Sequence, residues 1–336
     1  MAPSMKDVAE RAGVSVGTVS NVLNRPDRVA EATKAQVLAA ISELGFVRNS
    51  SAAQLRAGTS RSLGLIVLDL ANPFFHDVAR GVEDVAEDAG YAVVLCNSDE
   101  QAHRENRYLQ VLEEQRVRGV LITPVEVGSE RLDALRRRGT PTVLVDRHDP
   151  NVNCCSVAVD DVAGGQLAGA CLLDRNEHRR IAYVTGPLKI RQCADRLNGL
   201  RLAAKEAGLD PDEAITVVEM PALNARTGYE AASRLFRDGT DITAAFCAND
   251  LLALGVLRAA VSTGRQVPDD IALLGYDDID FAADAAVPLS SVRQPRRQIG
   301  RAAAQLLIEE CDNPITHAHQ QIMFRPELVT RESTGG

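Results

Sequence analysis

The chain has 336 residues, 45% of them hydrophobic and 25% charged, an ordinary globular composition that excludes general disorder and leaves room for two or three domains. No apolar run approaches the ~18 residues of a membrane span, and the N-terminal stretch MAPSMKDVAERAG lacks the apolar segment of a secretion signal, so a cytoplasmic protein is expected. Net charge is −9, but it divides unevenly: residues 1–60 carry seven Lys and Arg against five Asp and Glu, while the remainder carries 30 against 41. A mildly basic head on an acidic body confines attraction for phosphate to one end.

Residues 5–12 have helical spacing, with Val8, Ala9 and Ala12 on one face. Gly13-Val14-Ser15 follows, and residues 16–23 repeat the pattern through Val19, Val22 and Leu23. Two short amphipathic helices joined by a turn beginning with Gly outline a helix-turn-helix. Residues 31–44 read as a third helix, with Val37, Leu38, Ile41 and Leu44 inward and Gly45 as its stop.

The runs Asp7-Val8-Ala9, Ala12-Gly13-Val14-Ser15, Thr18-Val19-Ser20 and Val22-Leu23-Asn24 resemble the DNA-binding head of the lactose/galactose-repressor (LacI/GalR) family, and the likeness continues through Val29-Ala30 to Leu44-Gly45. It implies a second helix lying in the major groove of operator DNA, with Val16, Gly17 and Asn21 facing base edges. Asn21 can pair bidentately with adenine, Val16 offers apolar contact to a thymine methyl, and Gly17 reads nothing by side chain. Ser15, Thr18, Ser20 and Asn24 suit phosphate contacts or capping. Residues 49–58, NSSAAQLRAG, resemble the family's hinge helix. Fewer than ten residues are below the roughly 12–15 that an isolated helix needs in water, so a hinge that orders only against a second hinge and DNA is expected. The resemblance implies that Leu55, with Arg56 beside it, wedges into the minor groove. The implied division is a DNA-binding domain at 1–48, a hinge at 49–60 and an effector-binding, dimerising core at 61–336.

Beyond residue 62, apolar runs alternate with helical stretches. Strands are expected at 63–70, 92–96, 120–123, 142–145, 156–159, 181–185, 215–219, 244–247 and 271–274, and helices near 74–89, 102–117, 129–138, 161–173, 195–207, 226–237, 249–262 and 296–310. Such alternation predicts an α/β core of parallel sheets covered on both faces, and nine strands fit two sheets better than one. The subdomains are expected at 61–160 with 292–323, and 161–291 with 324–336. This matches the family's periplasmic-binding-protein-like core.

Ligands of wound sheets sit beyond the carboxyl ends of the strands. Those ends hold Asn72, Phe74 and Phe75 after the first strand, Asp146-Arg147 after the fourth, and Arg196 where the helix after 181–185 is expected to open. Asn249-Asp250, Tyr276-Asp277 and Gln294 follow later strands. Planar amide, carboxylate and guanidinium groups can bond adjacent hydroxyls in pairs, and Phe offers a flat apolar face. The set resembles the pocket of ribose-binding-type proteins and their repressor relatives, with Leu223 where those often present an aromatic. It implies a small-molecule effector, a pentose-like sugar in the first instance and a purine corepressor or a phosphoprotein coregulator in the alternative, acting on a homodimer that binds pseudo-palindromic double-stranded DNA.

Each of these residues also has an ordinary structural use: Asn72-Pro73 and Asn249 as helix caps, Phe74 and Phe75 as core, Asp146-Arg147 as an ion pair, Asp277 as a turn. A doubly wound enzyme is the reading of a different class. It would need a G-x-S-x-G, Walker or G-x-G-x-x-G motif in the α/β core, and none occurs at 61–336; Gly164-Gly165 lacks the partners of a phosphate loop. The seven Cys, at 96, 154, 155, 171, 193, 247 and 311, show no C-x-x-C spacing. They read as buried small residues in a reducing compartment, and neither a zinc site nor any cofactor is expected. His76, His103, His148, His178, His317 and His319 show no ligand spacing and are expected at the surface or in packing.

Overall fold

A computed structural model describes residues 3–46, 60–125, 130–149, 152–173, 180–237 and 241–335. The chain divides into two compact units, Met1–Thr59 and Ser60–Gly336.

In the first unit, Ser4 caps α1 (Met5–Arg11): its hydroxyl accepts from the Asp7 N–H, and the Asp7 carboxylate accepts from the Ser4 N–H at 2.7 Å. This capping box satisfies two otherwise orphaned donors. Gly13 then adopts a left-handed φ of +65°, which a side chain would resist. The turn delivers α2 (Val16–Asn24), capped by Ser15 through the Thr18 N–H at 3.0 Å. The third helix, α3 (Glu31–Leu44), ends on left-handed Gly45. Val8, Ala9, Ala12, Val19, Val22, Val37 and Ala40 form the buried centre. Leu38, expected inward, is 46% exposed: one residue beyond Val37 lies 100° around the helix and misses the buried stripe. Residues 49–58, with Leu55 and Arg56, lie outside the described residues.

The second unit begins β1 (Ser62–Val67), α4 (Pro73–Asp88), β2 (Ala92–Asn97), α5 (Ala102–Glu114), β3 (Gly119–Ile122), α6 (Glu130–Arg137), β4 (Thr142–Val145) and β5 (Cys155–Val159). It continues with α7 (Asp161–Leu173), β6 (Ile181–Thr185), α8 (Arg191–Glu206), β7 (Ile215–Glu219), α9 (Ala225–Arg237), β8 (Ala244–Cys247), α10 (Asp250–Ser262) and β9 (Ala272–Asp277). Last come β10 (Ser290–Arg293), α11 (Arg296–Asp312), β11 (Gln321–Phe324) and β12 (Glu327–Val329).

Among the described residues these strands form two sheets, ordered β11-β5-β4-β3-β1-β2 and β12-β10-β9-β8-β6-β7. The pairings are parallel apart from β12, which runs antiparallel to β10. Central strands β3, β4, β5, β6 and β8 are buried along their whole length rather than at alternate positions, because helices cover both faces. The chain crosses later than expected: β10 stays in the second sheet to Arg293, and β11 stays in the first to Phe324. The edge strands β11 and β12 are announced only by short apolar runs, Ile322-Met323-Phe324 and Leu328-Val329, and are half exposed.

Glycine sets the closest helix approach. A Cβ on Gly165 of α7 would fall 2.1 Å from the Arg196 carbonyl oxygen of α8, and one on Gly199 would fall 2.0 Å from that of Val162. A Cβ on Gly164 would strike the Tyr276 hydroxyl at 2.2 Å. The Gly164-Gly165 pair therefore seats α7 against α8 and β9, which brings Asp161, the first residue of α7, beside Arg196.

Candidate functional site

The carboxyl ends of both sheets face one cleft, and the backbone there is unusual. Of the six non-glycine residues with positive φ among the described residues, five are Asp99, Glu100, Asp146, Asp277 and Asp278, all at or just past the ends of β2, β4 and β9. Left-handed backbone costs a side-chain-bearing residue energy, and its concentration at one cleft marks where the fold tolerates strain for geometry.

Two sets of hydrogen bonds cross the cleft. Asn72, which caps α4 by accepting from the Phe74 N–H at 3.0 Å, donates its amide to Asp277 Oδ2 at 3.1 Å. Gln294, at the crossing after β10, donates to the other Asp277 oxygen at 2.7 Å. Gln192 donates to the Asp146 carbonyl at 2.7 Å and to its carboxylate at 3.0 Å, and accepts from Arg147 at 3.3 Å. Asn249 caps α10 through the Leu252 N–H and donates to the Leu223 carbonyl at 3.0 Å.

Arg196 lies beneath this layer. Its Nε bonds Asp161 at 2.8 Å, its Nη1 bonds the Ala248 carbonyl at 2.5 Å, and its guanidinium stacks 3.6 Å above the Tyr276 ring. The expected position of Arg196 at the start of its helix needs correction. The helix begins at Arg191, so Arg196 sits in the second turn, and Gln192 one turn earlier shares its face.

Asn72, Phe74, Phe75, Asp146, Arg196, Leu223, Asn249, Asp277 and Gln294 line one cavity of about 40 Å³, together with Glu100, Gln192 and Cys193. Arg147 lines a second cavity of about 350 Å³, which shares Leu68, Asp69, Glu100, Ile190, Gln192 and Leu223 with the first. Phe74 and Phe75 serve twice: they pack edge to face at 5.0 Å within the core of the first sheet and also form part of the inner cavity's apolar wall. The inner cavity has room for only a few water molecules.

Burial dominates the electrostatics. It pushes the Asp146 carboxyl up to about 8, with the neighbouring Asp161 charge adding and Arg196 opposing. Asp277 is raised for the same reason, against the pull of Arg196, Asn72 and Gln294. Glu100, at the junction of the cavities, is raised to about 7 by burial and by Asp69 and Asp99. Asp146 Oδ1, Arg147 Nε and Gln294 Oε1 are buried without a hydrogen-bond partner. Each such atom costs roughly 1–3 kcal/mol, an arrangement that favours a polar guest.

Sequence reasoning missed Gln192, Asp161 and Glu100. The i, i+4 spacing of Gln192 to Arg196 was the available signal, once the helix start is known. In the head, Val16, Gly17 and Asn21 form an exposed row on α2. Ser15 and Thr18 hydroxyls bond each other at 3.0 Å, and Asn24 donates to the Ser20 carbonyl at 2.7 Å, so these four are already engaged in shaping the helix. Of the six histidines, expected at the surface or in packing, His317 and His319 converge on Cys155 and Glu310.

Comparison with known proteins follows the same division. Residues 4–49 match the model of bacterial regulatory proteins, lacI family, and residues 171–334 match a periplasmic binding protein-like domain. The chain is 36% identical to the ribose operon repressor of Escherichia coli (strain K12) over 331 residues, 98% of this chain and 99% of that protein. It is 34% identical to the HTH-type transcriptional repressor PurR of Photobacterium profundum, covering 98% of each. Among solved structures, the lac repressor dimer bound to operator and the anti-inducer ONPF superposes with a TM-score of 0.84 at 26% identity, covering 99% of both chains. The chain belongs to the lacI family of bacterial regulatory proteins.

Proposed function

We propose that this chain is a homodimeric transcriptional repressor whose grip on operator DNA is set by a small polyhydroxylated ligand of the pentose class held between its two sheets. The observation that carries the reading is the buried polar layer in which Asp277 and Asp146 are each bonded across the cleft while Asp146 Oδ1, Arg147 Nε and Gln294 Oε1 stay unpartnered. The carboxyl oxygens of both residues can accept from hydroxyl donors, which a sugar presents in pairs, and an Asp146 carboxyl pushed up to about 8 can also donate to one. The likeness to a ribose operon repressor agrees with this class.

The likeness to PurR favours a second reading, a purine corepressor. A flat base is held best between two stacking faces, however, and apart from Phe74 and Phe75 the apolar lining is Leu68, Ile190 and Leu223. An enzymatic role is disfavoured at the same place: burial pushes the Cys193 thiol up to about 11, leaving it protonated and a poor nucleophile.

In this mechanism the ligand displaces the Asn72–Asp277 and Gln192–Asp146 bridges, because a cavity of about 40 Å³ cannot admit a sugar ring beside them. Ligand can shift the balance of two states only by its differential affinity for them; about 2.7 kcal/mol moves it a hundredfold. In the head, Val16 and Asn21 read bases with Gly17 facing the base edges between them, Ser15, Thr18, Ser20 and Asn24 hold phosphates and the helix end, and Leu55 and Arg56 act at the hinge. Differential melting of the purified protein against pentoses, hexoses, nucleosides and purines tests the reading. The true effector stabilises by about 2.7 kcal/mol at a hundredfold excess over Kd, and the same compound must alter operator retention in a mobility shift. A purine that strengthens retention while sugars do nothing would replace the first reading by the second.

A further inference from the structure

We propose that Cys155, Glu310, His317 and His319 form a structural zinc-type metal site on the first sheet, sharing no residue with the lining of the cleft cavities. The fold itself assembles it. Strand β11 runs parallel to β5 with Gln321 opposite Ser156, which lays the segment just before β11 alongside Cys155, the first residue of β5. Glu310 approaches from the last turn of α11. One ligand atom from each of the four residues lies within 4.8 Å of all the others.

The pairwise geometry is that of a ligand shell. His317 Nε2 lies 3.0 Å and His319 Nδ1 3.8 Å from Cys155 Sγ, and the two rings meet edge to face at 5.5 Å. Tetrahedral bonds of about 2.0–2.3 Å place neighbouring ligand atoms roughly 3.3–3.8 Å apart, so modest side-chain rotation closes the set around one ion. A second observation is independent of the clustering. The His317 side chain is only 1% exposed, yet its Nδ1 has no hydrogen-bond partner, and Glu310 Oε2 nearby is likewise buried and unpartnered. The Glu309 carboxylate stands 3.8 Å from His317 Nδ1, where it can take up the outward imidazole N–H. That outer carboxylate is the usual support of a metal-bound histidine.

One thiolate, two imidazoles and one carboxylate suit Zn²⁺, and four protein ligands leave no open position, so the site is structural rather than catalytic. The ion ties three segments together: the start of β5, the end of α11 and the 313–320 connection. On binding, the Cys155 thiol loses its proton to solvent and the S–metal bond forms, with no change of oxidation state.

The test uses the full chain stripped with chelator and then titrated with Co²⁺, followed by Zn²⁺ competing against a chromophoric chelator. One equivalent per chain is expected, with a thiolate-to-cobalt charge-transfer band that Zn²⁺ abolishes. Cys155→Ser removes the band, whereas Cys154→Ser, the control at the neighbouring buried thiol, keeps it. His319→Ala changes an exposed side chain, so its fold survives, as circular dichroism confirms; its Zn²⁺ affinity falls at least about tenfold. The proposal is overturned by the absence of a charge-transfer band in the wild type, by a band that persists in a folded Cys155→Ser protein, or by unaltered Zn²⁺ affinity in His319→Ala.

Discussion

The reading head and the cleft solve recognition in opposite ways. On α2 the row Val16, Gly17 and Asn21 stands exposed over a core of seven small or medium apolar residues. In the cleft, Asn72, Asp146, Arg147, Arg196, Asn249, Asp277 and Gln294 are all under a tenth exposed and are held in several sets of buried bonds. A surface row can change with little effect on the fold, whereas every member of a buried web supports its neighbours. Substitutions in the head should therefore alter binding alone, and those in the cleft should alter stability and binding together.

The largest break in that contrast is Arg196→Ala. It leaves Asp161 buried without its 2.8 Å partner and exposes the Tyr276 face, so a loss of roughly 3–5 kcal/mol is expected, read from the urea midpoint. A loss below about 1 kcal/mol, the worth of an ordinary exposed pair, would show that the web is not supporting the core.

Asp146→Asn sharpens the comparison through pH. The folded-state carboxyl is pushed up to about 8 against an ordinary value of 3.8, so the native state holds this proton more tightly than the unfolded chain. Its contribution is fully present below pH 3.8 and is lost as pH rises toward 8. The asparagine variant, which mimics the protonated acid, should gain stability relative to the wild type steadily across that window. A difference that does not change with pH contradicts the raised value.

Gly17→Ala gives the smallest effect. The nearest atom to a Cβ there is Ser15 Oγ at 3.5 Å, an ordinary contact, so stability should hold or rise by up to about 1 kcal/mol. Operator preference, measured by selection from random duplexes, should change nonetheless. Unchanged preference would remove Gly17 from the reading row.

Much of this was legible in the residues. Gly13 announced the turn, Asn72-Pro73 announced a capped helix, and the strand-end rule gathered Asp146, Asp277 and Gln294 from positions up to 148 residues apart. What stayed hidden depends on distance in the chain or on a weak pattern. Gln192 becomes a cleft residue only because its helix starts four residues earlier than its apolar spacing implies. Gly164-Gly165 reads as a failed phosphate loop until Arg196 and Tyr276 are seen against it. Cys155 meets His317 and His319 only through the register of β11, a half-exposed edge strand with just three apolar residues in a row.

The most direct test is operator affinity, with and without the effector, for the wild type and Asp277→Asn. Both Asp277 oxygens accept from amide donors, Asn72 and Gln294, so an Asn there turns one acceptor into a donor facing a donor while keeping the shape. The wild type should shift its operator Kd about a hundredfold on saturation; Asp277→Asn should hold operator unaided and show no shift. A variant that still responds with the wild-type magnitude would contradict control of the head by the cleft.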